Sequence, residues 1–368
     1  MEDIFVTKPY LPPREAFDAY VDRIWRSHWL TNDGPLKEEL EERLCSYLNV
    51  DQLILTVNGH AALELALRDG AHVSGEVITT PFTFASTIHA ITRLGAQPVF
   101  ADIKQDNMTI DPRSIERCIT DRTTAIVPVH VYGHACDTEE ISKIAEKYKL
   151  KVIYDAAHAF GVKRNNRSIL LEGDFSILSF HATKLFNTCE GGAVVFSNPE
   201  MKQALKASMN FGIISEELVE CPGGNGKMNE LQAAVGLATL PYVEEIISKR
   251  RTITERYYSL LAGHPKIQFF YPDYDPAVTY NFAYLPVLIS SSNSLSRDEV
   301  YDSLKLKHIY TRRYFWPLAS DYRCYQNCAK DDLSVAKSVS QRVLCLPIYA
   351  DLDITTVDYV CESLLALL

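Results

Sequence analysis

The 368-residue chain contains no uncharged stretch approaching membrane-spanning length, and its start, Met1-Glu2-Asp3, has no basic segment leading into an apolar run. Neither a transmembrane helix nor a secretory leader is therefore expected. There is no CxxC pair, and the nine cysteines are scattered and odd in number. That spacing suits neither a zinc ribbon nor an even disulfide framework; it predicts reduced, mostly buried thiols and a cytoplasmic setting. Positive charge is in deficit, with a formal net charge of -10 and a pI near 5.5. Such a surface repels a phosphate backbone and excludes general nucleic-acid binding. It still allows a small anion to be held by backbone dipoles. Low-complexity tracts and repeats are also missing. What remains, 47% hydrophobic and 23% charged residues, describes a folded soluble protein, long enough for one large domain with a smaller one attached.

Within that frame, strand and helix patterns alternate. Gly34-Pro35 opens a helix in which Leu36, Leu40, Leu44 and Leu48 share a face. Residues 53–57 read as a strand that stops at Asn58-Gly59, and an alanine- and leucine-rich helix runs on to about Arg68. Further strands are expected at Val77-Ile78, 98–100, 125–129, 151–154, 175–180 and 192–196. Helices are expected at 84–94, 112–118 and 139–148, the last opened by a capping-box pair, Asp137 and Glu140. This order predicts an α/β domain with a mostly parallel sheet, whose ligands gather beyond the carboxyl ends of the strands. After about Pro241 the texture changes to a helix over 243–262, then an aromatic section with Tyr271, Tyr274, Tyr280, Phe282 and Tyr284. A second capping box follows at Ser296 and Glu299, and a final helical pattern covers 354–368. The boundary is placed at residue 245, giving domains 1–245 and 246–368.

Two residues stand out chemically. Lys184 lies in Ser-Phe-His-Ala-Thr-Lys between two short strands, ahead of Gly191-Gly192; Asp155 ends a separate strand 29 residues earlier. Most lone lysines are solvated surface charges, and an aspartate at a strand end is often only a cap. Together, among small and apolar neighbours, they suit a different chemistry. A lysine amine can form a Schiff base with an aldehyde cofactor, and a carboxylate at a buried strand mouth needs a cationic partner. Pyridoxal 5′-phosphate (PLP) supplies both the aldehyde and a ring nitrogen for the carboxylate. Its phosphate would meet the backbone N–H groups of Gly59, His60 and Ala61 and the Ser179 hydroxyl. Phe84 is a candidate to stack on the ring, against the commoner reading of an ordinary core aromatic.

Several blocks occur in order: Asn58-Gly59, Thr80-Pro81-Phe82-Thr83-Phe84-Ala85-Ser86-Thr87, Tyr154-Asp155-Ala156-Ala157-His158-Ala159-Phe160-Gly161, Ser179 to Lys184 with Glu190-Gly191-Gly192, and Gly224 to Ala234. With them, the chain resembles the DegT/DnrJ/EryC1/StrS aminotransferases. The resemblance spans nearly the whole chain and implies a type I PLP-dependent aspartate-aminotransferase fold: a large domain with a mostly parallel mixed sheet and a smaller C-terminal α+β domain. It implies that Lys184 carries the cofactor, Asp155 contacts the pyridine nitrogen, Phe84 stacks on the ring, and Gly59, His60 and Ser179 hold the phosphate, with His158 among the cofactor contacts. Asn225 is implied to reach the phosphate from the other subunit of a homodimer. Thr31, His181, Lys227, Arg312 and Tyr314 are placed near the sugar substrate. Two positions depart from the pattern: His60 where a small hydroxyl residue is common, and Lys227 where arginine is frequent. Histidine in place of the aldimine lysine marks the dehydratase branch, so Lys184 argues against it.

The implied reaction moves an amino group from L-glutamate to a nucleotide-linked keto-sugar, with the cofactor cycling through pyridoxamine 5′-phosphate (PMP). The blocks 6–13 and 29–35 are similar to family members that act on dTDP-4-dehydro-6-deoxy-D-glucose, and that acceptor is the one expected here. Transfer at C3 or to another 4-keto sugar remains open, as do a non-catalytic regulator or scaffold on this fold and a PLP decarboxylase or lyase. A place in O-antigen and lipopolysaccharide biosynthesis is expected on the same resemblance.

Overall fold

The computed structural model describes residues 2–269, 276–292 and 294–368. Tyr271 and Tyr274 of the aromatic section lie outside them. The framework is a seven-stranded sheet: β1 (Gln52–Thr56), β2 (Glu76–Thr79), β3 (Gln97–Phe100), β4 (Thr123–Val127), β5 (Lys151–Asp155), β6 (Phe175–Ser179) and β7 (Gly192–Phe196). Its order is β1-β7-β6-β5-β4-β2-β3. Strand β7 runs antiparallel to both neighbours and the remaining pairs are parallel.

These strands read as unbroken apolar runs because helices cover both faces. Side chains alternate across the sheet plane. Leu53 and Leu55 of β1 join a core with Leu36, Leu40, Leu44 and Leu48, whereas Ile54 between them packs with Ala62 and Leu63 on the opposite face. The leucines belong to α2 (Pro35–Leu48), after α1 (Arg14–Ser27); Ala62 and Leu63 belong to α3 (Gly59–Leu65). Full burial of each such leucine contributes about 1.5–3 kcal/mol. Helix α2 starts with Pro35 in its first turn and stops at Asn49, which is left-handed at φ 53°.

Helices α4 (Ala85–Arg93), α5 (Pro112–Cys118) and α6 (Thr138–Tyr148) follow β2, β3 and β4. Helix α4 packs beside α3, with Ala90 and Ile91 against Ala62 and Leu63, whereas α5 and α6 cover the opposite face. Ile115 and Ile141 pack on Ile78, Ile126 and Val152. The expected capping box at α6 forms by half: Asp137 accepts the Glu140 N–H, but Glu140 turns its carboxylate to Lys143. Helix α3 is also shorter than expected, giving way to a π-helical turn over Ala66–Gly70.

Helices α7 (Met201–Ser208) and α8 (Glu230–Thr239) precede α9 (Val243–Leu261), which leads into the smaller α+β unit. There, β8 (Ile267–Phe269), β9 (Pro286–Ile289) and β10 (Val343–Cys345) form an antiparallel sheet in that order. Helices α10 (Arg297–Leu306), α11 (Ser334–Arg342) and α12 (Ile354–Leu365) complete the unit. The Ser296–Glu299 capping box is complete, and Val357, Val360 and Leu364 of α12 share a core with Ile246, Ile253 and Tyr257 of α9. The N-terminal pair Ile4–Phe5 lies parallel to Ile309–Tyr310, tying the chain start to this unit. No described helix is long and apolar enough to cross a membrane.

Candidate active site

A cavity of about 480 Å³ opens beyond the carboxyl ends of β1, β2, β4, β5 and β6. Asp155 is the last residue of β5 and is buried. Its Oδ2 accepts a hydrogen bond from the Thr87 hydroxyl at 2.6 Å, and its Oδ1 accepts one from the Ala157 N–H at 3.1 Å. Thr87 is in turn 3.0 Å from the Thr83 hydroxyl. Burial raises the Asp155 pKa; Thr87, the Ala157 N–H and the Lys184 charge pull it down but do not cancel the rise. The carboxylate is thus short of positive charge, as a partner for a cationic ring nitrogen should be.

Lys184 sits in the excursion between β6 and β7. Its backbone N–H bonds to the His181 carbonyl at 2.8 Å, and Ala182 and Phe180 pair with Cys189 and Gly191 across the excursion. The side chain is half-buried on the cavity wall, with Nζ 5.9 Å from the Tyr284 ring centre. Desolvation lowers its pKa to about 8, against the raising influence of Asp155. An amine so shifted is available as a nucleophile and as a base near neutral pH.

The start of α3 lies alongside. Asn58 caps the helix with its side chain, and the Ala61 N–H donates to Asn58 Oδ1 at 2.8 Å. This corrects one expectation: the Ala61 N–H is committed to the cap, so it is not a free phosphate donor. The N–H groups of Gly59 and His60 make no hydrogen bond among the described residues. A Cβ on Gly59 would come within 2.8 Å of the Ser179 Cβ, so only glycine lets this turn approach β6. Gly192 meets the same turn from β7, where a Cβ would fall 2.6 Å from the Asn58 carbonyl carbon. The His60 ring bonds to the Ser86 hydroxyl at 2.9 Å and lies 3.4 Å from Glu64.

Phe84 caps α4 and remains 62% exposed at the cavity mouth, which sets it apart from a core aromatic. His158 Nδ1 accepts the Tyr132 N–H at 3.0 Å, placing any ring proton on Nε2. Burial, with Lys184 and His134 nearby, holds its pKa well below the usual value, so the ring is neutral. It packs on Tyr284 with ring centres 4.5 Å apart.

Gly59, His60, Phe84, Asp155, His158 and Ser179 therefore share one cavity with Lys184. His181, Arg312 and Tyr314 line it too. Thr31, Asn225 and Lys227 do not; Thr31 and Asn225 are exposed, and the Lys227 amine bonds to Asn210 and lies 5.1 Å from the Phe211 ring centre. Three participants were not singled out from sequence: Thr87, Tyr284 and Phe315. Thr83 and Thr87, four residues apart around the start of α4, offered a usable signal, a polar pair on a face that must be buried. Tyr284 and Phe315 carried none, because they reach the cavity from the smaller unit.

The residues fit the cofactor expected from sequence: an amine of lowered pKa, a buried carboxylate short of a cation, unpaired N–H groups at a helix start and an exposed aromatic ring, all on one cavity. Comparison with known proteins agrees. The DegT/DnrJ/EryC1/StrS aminotransferase family model matches residues 13–365. The chain belongs to this aminotransferase family. It is 44% identical over 362 residues to the dTDP-4-amino-4,6-dideoxy-D-glucose transaminase of Shigella dysenteriae, covering 98% of each chain. Among solved structures, DesI in the presence of its TDP-sugar product is 34% identical with a TM-score of 0.94, covering 99% of this chain and 92% of that one. The PLP form of Spr1654 from Streptococcus pneumoniae is 26% identical with a TM-score of 0.92, covering 99% of this chain and 98% of that one. This chain is a transaminase by descent, and no metal-binding group of His, Cys, Asp and Glu occurs among the described residues.

Proposed function

We propose that this aminotransferase uses PLP to transfer the amino group of L-glutamate to dTDP-4-dehydro-6-deoxy-D-glucose, giving dTDP-4-amino-4,6-dideoxy-D-glucose. One observation carries the cofactor chemistry: Lys184 and Asp155 share a cavity with pKa values displaced toward each other, the lysine down and the aspartate up. The choice of sugar rests on the Shigella dysenteriae relative, whose name states that product. When bound, the cofactor supplies an electron-withdrawing ring that spreads negative charge from the reacting carbon.

The protein's own groups divide the remaining work. Lys184 Nζ tethers the cofactor and, once released by an incoming amine, takes and returns the proton at the substrate carbon. Asp155 keeps a proton on the ring nitrogen, with Thr87 and the Ala157 N–H fixing the orientation of its carboxylate. The free N–H groups of Gly59 and His60, with the Ser179 hydroxyl, receive the phosphate at a helix start. Phe84 and neutral His158 bound the ring's space and keep water from it, and His181 and Tyr314 face the sugar.

Asn225 completes the phosphate site from a second copy of the chain in a homodimer. In support, Asn225 is exposed and absent from its own cavity. It also adjoins a run of exposed apolar residues that includes Phe211 and Val219.

The test is amino transfer from glutamate to the 4-keto sugar nucleotide, with the position and configuration of the new amine determined. Lys184→Ala abolishes turnover in a folded protein. Asp155→Ala still takes up cofactor but slows turnover on the order of 10²–10³-fold, the scale of losing one preorganised electrostatic contact. Amination at another carbon defeats the substrate assignment, and near-normal turnover of Asp155→Ala defeats the role given to that carboxylate.

A further inference from the structure

The two substrates of this reaction differ in size but share one property. Glutamate carries a carboxylate beyond its reacting carbon, and the sugar nucleotide carries a diphosphate beyond its own. Both must use one cavity in turn. With Lys184 committed to the cofactor and His158 held neutral, the permanent cation on the wall among the described residues is Arg312. Its guanidinium is exposed and makes no hydrogen bond or ion pair among those residues, whereas the acidic groups of the cavity are otherwise engaged. Asp155 is held by Thr87 and Ala157, and Glu190 faces His181 Nε2 at 3.7 Å.

The backbone around Arg312 is fixed while its side chain is left free. Its N–H and carbonyl pair with the Cys345 carbonyl and N–H at 3.2 and 2.7 Å, anchoring the segment to the edge of β10. Side chains alternate from there. Arg312 and Tyr314 line the cavity, while Arg313 turns away into a clamp made of Asp298 at 2.7 Å, the Trp316 ring at 4.3 Å and the Tyr301 ring at 4.5 Å. One guanidinium is satisfied and holds the turn; its neighbour is presented unsatisfied. A guanidinium is a planar fork that meets either a carboxylate or a phosphate with two parallel hydrogen bonds.

We propose that Arg312 is a shared anion clamp, holding the distal carboxylate of the amino donor in one half-reaction and the diphosphate of the sugar nucleotide in the other. The inference rests on the transaminase reading above and adds to it a reason for choosing glutamate over neutral amino acids. Because one guanidinium serves both ligands, they exclude each other.

The test uses the PLP-loaded protein and two unreactive probes, glutarate and dTDP, titrated calorimetrically singly and together. Wild type binds both, and saturating either one blocks the other. Arg312→Gln weakens both by tenfold or more at an unchanged melting temperature and cofactor absorbance, and Arg312→Lys, which keeps the charge but not the fork, retains part of both affinities. Independent binding of the two probes to wild type overturns the clamp, as does a Gln variant that weakens only one probe or neither. If the Gln variant fails to take up cofactor, the Lys variant decides: a loss for both probes supports the clamp and a loss for one refutes it. A wild type whose cofactor absorbance responds to no amino donor defeats the transaminase reading instead, and so separates the two failures.

Discussion

Lys184 meets two opposing influences, and their balance sets when it can react. Burial on the cavity wall disfavours the ammonium, the Asp155 carboxylate favours it, and burial wins, leaving a pKa of about 8. The neutral amine attacks the cofactor aldehyde, so its share sets the rate of cofactor capture. That share grows about tenfold per pH unit below the pKa and levels off above it. Capture of PLP by the cofactor-free protein is therefore expected to accelerate from pH 6 to about 8 and then flatten, measured as growth of the lysine-linked absorbance. A rate still climbing beyond pH 10 would show an unshifted lysine. Both reactive residues were legible in the sequence because each sits in its own local block, Asp155 at a strand end and Lys184 ahead of paired glycines. Thr87 and Tyr284 were much less so, since their partners, Asp155 and His158, lie on distant segments. The Ala61 N–H misled for a simpler reason: the cap that consumes it comes from Asn58, a residue credited only with a turn.

At the level of elements, α8 shows how a site is braced from outside it. The Glu230 carboxylate accepts the Leu36 and Lys37 N–H groups at 2.9 and 2.8 Å, satisfying two donors at the start of α2, and the Glu230 N–H bonds to the Leu30 carbonyl. Two residues on, Gln232 closes a capping box with Asn229, and its Nε2 donates to the carbonyls of Val57 and Glu190. One amide thus ties the turn before Asn58 to the excursion that carries Lys184. Hydrogen bonds to a charged group are worth about 1.5–3 kcal/mol each, and buried donors left unpaired cost a similar amount. Glu230→Ala is expected to lose about 3 kcal/mol in urea unfolding, with Glu230→Gln losing roughly half because its amide keeps one acceptor oxygen. A loss below about 0.5 kcal/mol, the range of an ordinary surface change, would mean that water replaces the carboxylate. The sequence displayed the block from Gly224 to Ala234 but not this bracing, which depends on α2 and α8 meeting across separations of 193 and 194 residues. Strands of the main sheet were readable because both faces are buried, which turns each into an apolar run. The short hairpin of Ile213–Ser215 and Leu218–Val219 was missed because it is exposed throughout and has no inward face to impose alternation.

For the whole molecule, the order of the strands and the distribution of exposed apolar residues are global properties that local pattern does not encode. Trp25, Trp29, Leu30 and Leu231 stand 45–67% exposed, and the hairpin adds Leu218 at 46% and Val219 at 65%, next to Phe211 at 51%. Scattered exposed apolar residues are normal, but a concentration of large ones on one hairpin calls for a covering partner. The homodimer proposed above would cover this surface with a second copy of the chain and carry Asn225, which does not line its own chain's cavity, to the other copy's phosphate site. This ties assembly to cofactor binding. Replacing Leu218 and Val219 together with aspartate puts two charges where apolar surface would be buried, while disturbing no core contact within the chain. Sedimentation is expected to show a monomer, and PLP affinity is expected to fall tenfold or more, since a single charge-assisted contact to phosphate carries about that much. A variant that stays dimeric removes the hairpin from the interface. One that becomes monomeric yet binds PLP as tightly as before leaves the dimer standing but shows that each chain builds its phosphate site alone.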